Sequence, residues 1–310
     1  MKKKNRILVF GLLAFASILR FIPLYRSRGL MNLENFISNL LAIVMGIPIL
    51  ILIYLIAKKA SKNEKAALFS LALASVIPFY SWIISNALSS AIGIFFFFLI
   101  VYLLPRLKEK KVYLILIGLL LLYTLFNPCS WIMIPLLIIY YILIRVEHLK
   151  KDKIEDYFLY IATIGLVLLT LALSYSGSIL YVFRTEFLKF LHLSYSLGAI
   201  NKFNLDDLFY LIGPLPVLFG LIGAYLAMKK NDRIALLLFS AIGSSFIVTL
   251  YLGSIFAYVI FSLSMACLAS FAYLFIKDRL EQSRLTKFTN SILIVIVLLI
   301  LIFGINRWIL

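Results

Sequence analysis

Ile37-Ser38-Asn39-Leu40-Leu41-Ala42-Ile43-Val44-Met45-Gly46-Ile47-Pro48-Ile49-Leu50-Ile51-Leu52-Ile53-Tyr54-Leu55-Ile56-Ala57 is followed at once by Lys58-Lys59-Ala60-Ser61-Lys62-Asn63-Glu64-Lys65. The first stretch carries no charge and has the length of one bilayer crossing, about 20 apolar residues. The second is a short lysine-rich loop of the kind retained on the cytoplasmic side of a membrane. The same alternation recurs along the chain: 23 of its 30 Lys and Arg residues fall in six such clusters, with near-continuous apolar stretches between them.

Composition agrees with that reading. Of the 310 residues 64% are hydrophobic and 14% charged, with a mean hydropathy of +1.08. A soluble domain is about 25% charged, and no aqueous fold can hide so much apolar surface. In lipid each span must be a helix, because the solvent offers no partner to backbone N–H and C=O groups. The net charge of +17 does not indicate a nucleic-acid partner, since the basic residues sit in separate short loops, where they act as orientation signals and contact anionic lipid headgroups.

The expected fold is an all-α, multi-pass protein of the cell membrane, a single transmembrane domain over 1–310 with no soluble domain. Eleven spans are predicted, near 7–25, 37–57, 66–85, 87–104, 112–126, 131–145, 157–175, 207–228, 233–252, 254–276 and 289–308. Lys2, Lys3, Lys4 and Arg6 could open a signal peptide, but the apolar run continues through Leu24, which favours a retained first helix.

With the N-terminus in the cytoplasm, the six clusters lie inside. Only Arg20, Arg26, Arg28, Arg184, Lys189, Lys202 and Arg307 lie outside, as the positive-inside rule requires. Trp82, Trp131 and Trp308 then fall at outer ends of spans, where indole rings favour the interface.

Two outer loops have substance, Tyr25 to Phe36 and Ser176 to Asp206. Within the second, Arg184, Thr185, Glu186, Lys189 and His192 share one side of a helical wheel and Phe183, Phe187, Phe190 and Leu191 fill the rest. That pattern predicts an amphipathic helix lying on the outer membrane surface.

Of 13 acidic residues, Glu34, Glu186, Asp206 and Asp207 fall outside. Glu34 could act as general base on an acceptor hydroxyl or as ligand to a divalent metal. Arg20, Arg26 and Arg28 could hold a phosphate leaving group by paired hydrogen bonds. The plainer alternative is that Glu34 opens a helix, where the dipole favours an acid, while the arginines snorkel to headgroups. Arg184 and His192 could contact substrate or form a solvated face. Asp206 and Asp207 precede a span. Asn127-Pro128-Cys129-Ser130-Trp131 reads as a tight outer turn. No Cys/His spacing fits a zinc site, and a bridge between Cys129 and Cys267 is not expected.

Four stretches together resemble the polytopic glycosyltransferases of the GT-C type, which include oligosaccharyltransferase catalytic subunits and protein mannosyltransferases. They are Ala16 to Leu24 with Arg20 and Pro23, Pro78-Phe79-Tyr80-Ser81-Trp82 with Ser85-Asn86-Ala87-Leu88, Gly118 through Trp131, and Gly213-Pro214-Leu215 through Gly223. The resemblance implies a polyprenyl-phosphate-linked sugar donor and an outward-facing site, used in glycan or glycoprotein assembly. It departs from the family in its short first outer loop, which holds Glu34 where members carry an aspartate, often in an acidic pair. Asp206-Asp207 comes late in the chain, and no soluble domain follows the last span.

Three functions stay open at this point. One is sugar transfer, with Glu34 as base or metal ligand and Arg20, Arg26, Arg28 and Arg184 on the phosphate. Another is a transporter or flippase for lipid-linked substrates, which would ordinarily show ionisable groups at midplane and broken helices; Pro48 and Pro78 could supply breaks. The third is a non-catalytic subunit docking a protein partner at the outer face.

Overall fold

The computed structural model describes residues 3–26, 33–77, 88–107, 109–126, 130–147, 149, 153–174, 213–230, 232–252, 255–283 and 286–309. Among them are eleven α-helices and no strand. They are α1 Lys3–Arg26, α2 Leu33–Ser61, α3 Glu64–Ser75, α4 Leu88–Leu103, α5 Lys110–Phe126, α6 Met133–Val146, α7 Lys153–Ser174, α8 Pro214–Met228, α9 Arg233–Leu252, α10 Ile255–Gln282 and α11 Thr289–Ile309. Each predicted span overlaps one helix. Four stretches are long and apolar enough to cross a membrane, Leu40–Ser61, Glu155–Ser174, Arg233–Leu250 and Phe256–Gln282. At 1.5 Å per residue the first of these is about 33 Å long, against a hydrocarbon core of about 30 Å.

The exterior of the bundle is its most apolar part. Leu114, Tyr157, Leu168, Ile294 and Leu298 are all exposed, while Ser70, Ser240, Ser244, Ser245, Ser262 and Ser270 are buried. Water would not tolerate so large an apolar surface; lipid does, and it leaves close packing and interhelical hydrogen bonds to hold the helices together.

Helix α10 is the centre of the packing. It meets α2, α3, α8 and α9, and 83% of its most apolar window is buried, against 28% for α7. Small residues let its neighbours approach. Gly223 of α8 lies so close that a Cβ there would strike the Leu268 carbonyl oxygen and stand 2.5 Å from its carbon; one on Gly220 would be 2.7 Å from Met265 Cβ. On the other side the Ser70 hydroxyl donates to the Cys267 carbonyl at 3.4 Å, and the buried, free Cys267 thiol donates weakly to Ile53 O at 3.9 Å. Phe69 of α3 bridges outward, edge-on to Phe219 and tilted on Tyr273.

Contacts and through-space attraction bring all six basic clusters to one end of the bundle. The Glu64 carboxylate accepts from Lys58 Nζ at 2.7 Å and from Asn5 Nδ2 at 2.6 Å, so the start of α1, the end of α2 and the start of α3 meet there. Lys65 Nζ donates to Asn290 Oδ1 at the start of α11. Lys59 and Arg106 stack on the same Tyr102 ring at the end of α4. Asp232, at the start of α9, attracts Lys59, and Arg233 beside it pairs with Glu155 at the start of α7.

Hydrogen bonds from Lys58 and then Asn5 hold the Glu64 carboxyl below its ordinary pKa of 4.5. A carboxyl whose folded pKa is depressed stabilises the fold above its unfolded pKa, and that contribution is lost as pH falls through the folded value. Thermal unfolding in detergent should therefore show the stability gap between wild type and Glu64→Gln closing as pH drops below 4.5. A gap that stays constant would show that the clasp does not couple to protonation.

Several boundaries differ from expectation. The span predicted from 207 gives a helix that starts at Pro214, because Gly213 has φ 94°, a left-handed value that ends any run of helix. Asp206 and Asp207, outside the described residues, therefore do not open α8. Helix α3 ends at Ser75 where the prediction ran to 85. Helix α2 runs unbroken through Pro48, which therefore does not supply the break a transporter reading asked of it. Helix α10 extends to Gln282, six residues past its predicted end, with Lys277 and Glu281 paired across one turn. Pro78, Trp82, the Asn127–Cys129 turn and the surface helix predicted near 181–195 lie outside the described residues.

Candidate functional site

The two ends of the bundle differ in kind. The Asn5–Glu64–Lys58 contacts make α1 and α2 antiparallel neighbours joined at the basic end. The last turn of α1, ending at Arg26, and the first turn of α2, starting at Leu33, therefore lie at the opposite end. Arg26 is the last residue of α1, Arg20 sits under two turns below it, and Glu34 falls in the first turn of α2. The backbone thus gathers two predicted phosphate-binding residues and the predicted base at one end of one hairpin. Their side chains, and Arg28, Arg184 and His192 altogether, lie outside the described residues. Glu34 also occupies the position where a helix dipole favours an acid, so its plainer reading keeps its physical basis.

The basic end displays its side chains, and it shows a repeated device. Helices α4, α6, α8 and α10 finish at this end, each with a cation four residues after an aromatic ring. Arg106 lies 4.9 Å from the Tyr102 centroid, Arg145 4.4 Å from Tyr141, Lys229 4.5 Å from Tyr225 and Arg279 5.2 Å from Phe275. Tyr54 and Lys58 repeat the spacing on α2. One helical turn places the cation over the ring face. An aromatic ring suits a membrane interface and a cation suits headgroups, and these pairs make a collar of aromatic-cation contacts at the basic end. An aromatic-x-x-x-basic pattern at the end of alternate apolar stretches was readable in the sequence, where attention to the cationic loops alone overlooks it.

A second arrangement lies beneath the collar. Arg233 Nη1 donates to Glu155 Oε2 at 2.5 Å, with the Glu155 side chain 5% exposed. The fully buried Tyr140 hydroxyl lies within reach of the Glu155 carboxylate. Tyr140 feels the charges of Glu155, Arg233 and Asp232, so α6, α7 and α9 share one small polar focus in an apolar setting. Glu155 is buried because its place in the first turn of α7 turns it toward Arg233 of α9.

Between α5 and α7 runs an apolar groove of about 340 Å³, lined by Tyr113, Ile117, Leu121, Phe158, Gly165 and Leu169 among others. It extends from near the start of both helices to past their midpoints. Tyr113 and Phe158 meet edge to face at 5.2 Å, and a Cβ on Gly165 would touch nothing within 4 Å. The missing side chain leaves the groove open. Among the described residues no group of three or more His, Cys, Asp or Glu could hold a metal ion.

No protein-family model matches this sequence, and no curated protein matches it. The geometry of the two ends is therefore what bears on function.

Proposed function

We propose that this is a multi-pass protein of the cell membrane, with its basic end in the cytoplasm, that transfers a sugar from a polyprenyl-phosphate-linked donor at the opposite face. The observation carrying the reading is the α1–α2 hairpin, which puts Arg20, Arg26 and Glu34 at the end away from all six basic clusters. Guanidinium groups there suit a phosphate leaving group, and a carboxylate at the same end suits proton removal from an acceptor hydroxyl. Arg28, Arg184 and His192 complete the proposed substrate contacts, and Glu34 could instead hold a divalent metal.

The test is mass spectrometry of lipid-linked and surface glycans in a deletion strain carrying wild type or Glu34→Gln at matched membrane levels. Wild type should restore a missing sugar, and Glu34→Gln should lower transfer by about 100-fold or more, the usual contribution of a general base. Equal restoration by both would remove Glu34 from catalysis and leave a docking subunit. Unchanged glycans on deletion would overturn sugar transfer and direct attention to transport.

A further inference from the structure

At the basic end, one ammonium group is out of place. The Lys59 Nζ is buried and has no hydrogen-bond partner among the described residues. It carries three donors, and although Lys59 as a whole is half-buried, a charged group hidden without a hydrogen bond costs stability. Its nearest company makes matters worse. The Tyr102 ring, 5.6 Å away, also carries the Arg106 guanidinium at 4.9 Å, and Arg106 Nη2 donates to Tyr102 Oη at 3.1 Å. Two cations from different helices thus converge on one phenol, and they repel each other. Asp232 and Glu109 attract Lys59 through space but do not accept a hydrogen bond from it.

We propose that Lys59 and Arg106 form a binding site for a phosphate group at the basic end of α2 and α4. An anion between the two cations would turn their repulsion into two charge-assisted contacts. The ammonium would act as a point charge from the buried side and the guanidinium as a planar fork from the exposed rim. The Tyr102 ring holds both cations in place. Among the aromatic-cation pairs of the collar described here, this is the one that a second, buried cation joins. Two sources offer the chemistry, the headgroup of an anionic phospholipid in the adjacent leaflet and a soluble phosphate. The site lies at the far end from Glu34, so it stands or falls independently of the transferase reading.

The experiment is thermal unfolding of the full chain, stripped of lipid in a maltoside detergent. Phosphatidylglycerol and inorganic phosphate are added separately to wild type, Lys59→Met and Arg106→Gln. Wild type should gain stability with at least one ligand. Lys59→Met should be as stable as wild type or more so without ligand, because it removes an unpaired buried charge, and should lose the response. Arg106→Gln, at an exposed position, should keep its unliganded stability and weaken the apparent affinity by about tenfold, the effect of one lost charged hydrogen bond. Response to phosphatidylglycerol alone identifies a headgroup site, and response to inorganic phosphate identifies a soluble ligand. The proposal is overturned if neither ligand stabilises wild type, or if Lys59→Met or Arg106→Gln responds as wild type does.

Discussion

Gly223→Leu should leave no folded protein in detergent, and Gly223→Ala should already lower stability by about 3 kcal/mol, the upper range for overpacking. The reason is the crossing of α8 and α10. The atoms that a Cβ at 223 would meet are the carbonyl carbon and oxygen of Leu268, and 3.0 Å away the amide nitrogen of Ala269. All three are backbone within α10, which is held on its other faces by α2, α3 and α9, so nothing there can swing aside. Leucine would have to push the central helix bodily, a loss above about 4 kcal/mol that few substitutions reach. Gly165→Leu is the control, because nothing stands within 4 Å of that position. It should change stability by less than about 0.5 kcal/mol while filling part of the α5–α7 groove. Size-exclusion profiles and unfolding temperatures of the three variants decide the matter. A monodisperse Gly223→Leu would mean that α8 and α10 do not cross this closely.

The second large effect concerns the buried pair. Arg233→Leu should cost about 3 to 5 kcal/mol, because it leaves the buried Glu155 carboxylate without its cation, and Glu155→Leu should cost less. The double replacement should recover most of that loss, since two apolar side chains need no partner. The asymmetry of burial refines the expectation. Glu155 is 5% exposed and Arg233 22%, so Arg233 reaches solvent more easily once Glu155 is replaced, and Glu155→Leu should be the milder single change. Unfolding temperatures of the four proteins form a double-mutant cycle. Additive losses would show that the two residues act separately, and then Tyr140 and Glu155 Oε1 would not belong to one polar focus.

Much of the architecture follows from the sequence because lipid simplifies the problem. In a medium without hydrogen-bond partners an apolar stretch must be helical, so Ile37 to Ala57 needs no tertiary information to be read as helix. The basic loops mark alternate ends for a similar reason, as charge stays out of hydrocarbon. All six clusters do meet at one end, through Glu64, Asn290, Tyr102, Asp232 and Glu155. The boundaries were less legible. Gly213 sets where α8 begins through its own φ, yet in the sequence it is only a glycine in an apolar run.

The candidate site was legible only as a set of residue types. Arg20, Arg26 and Glu34 are conspicuous because so few charges lie away from the basic loops, and the hairpin places their backbone at one end. The polar features that pack were not legible. Lys59 and Glu155 look like ordinary loop charges in the sequence, and only the packing of α2 on α4 and of both α7 and α9 on α6 buries one and pairs the other. Patterning along a chain specifies which residues avoid lipid or water, since that preference belongs to each side chain alone. Which helix faces which, and therefore which charge is left without a partner, depends on close fits such as Gly223 against Leu268, and those exist only between helices.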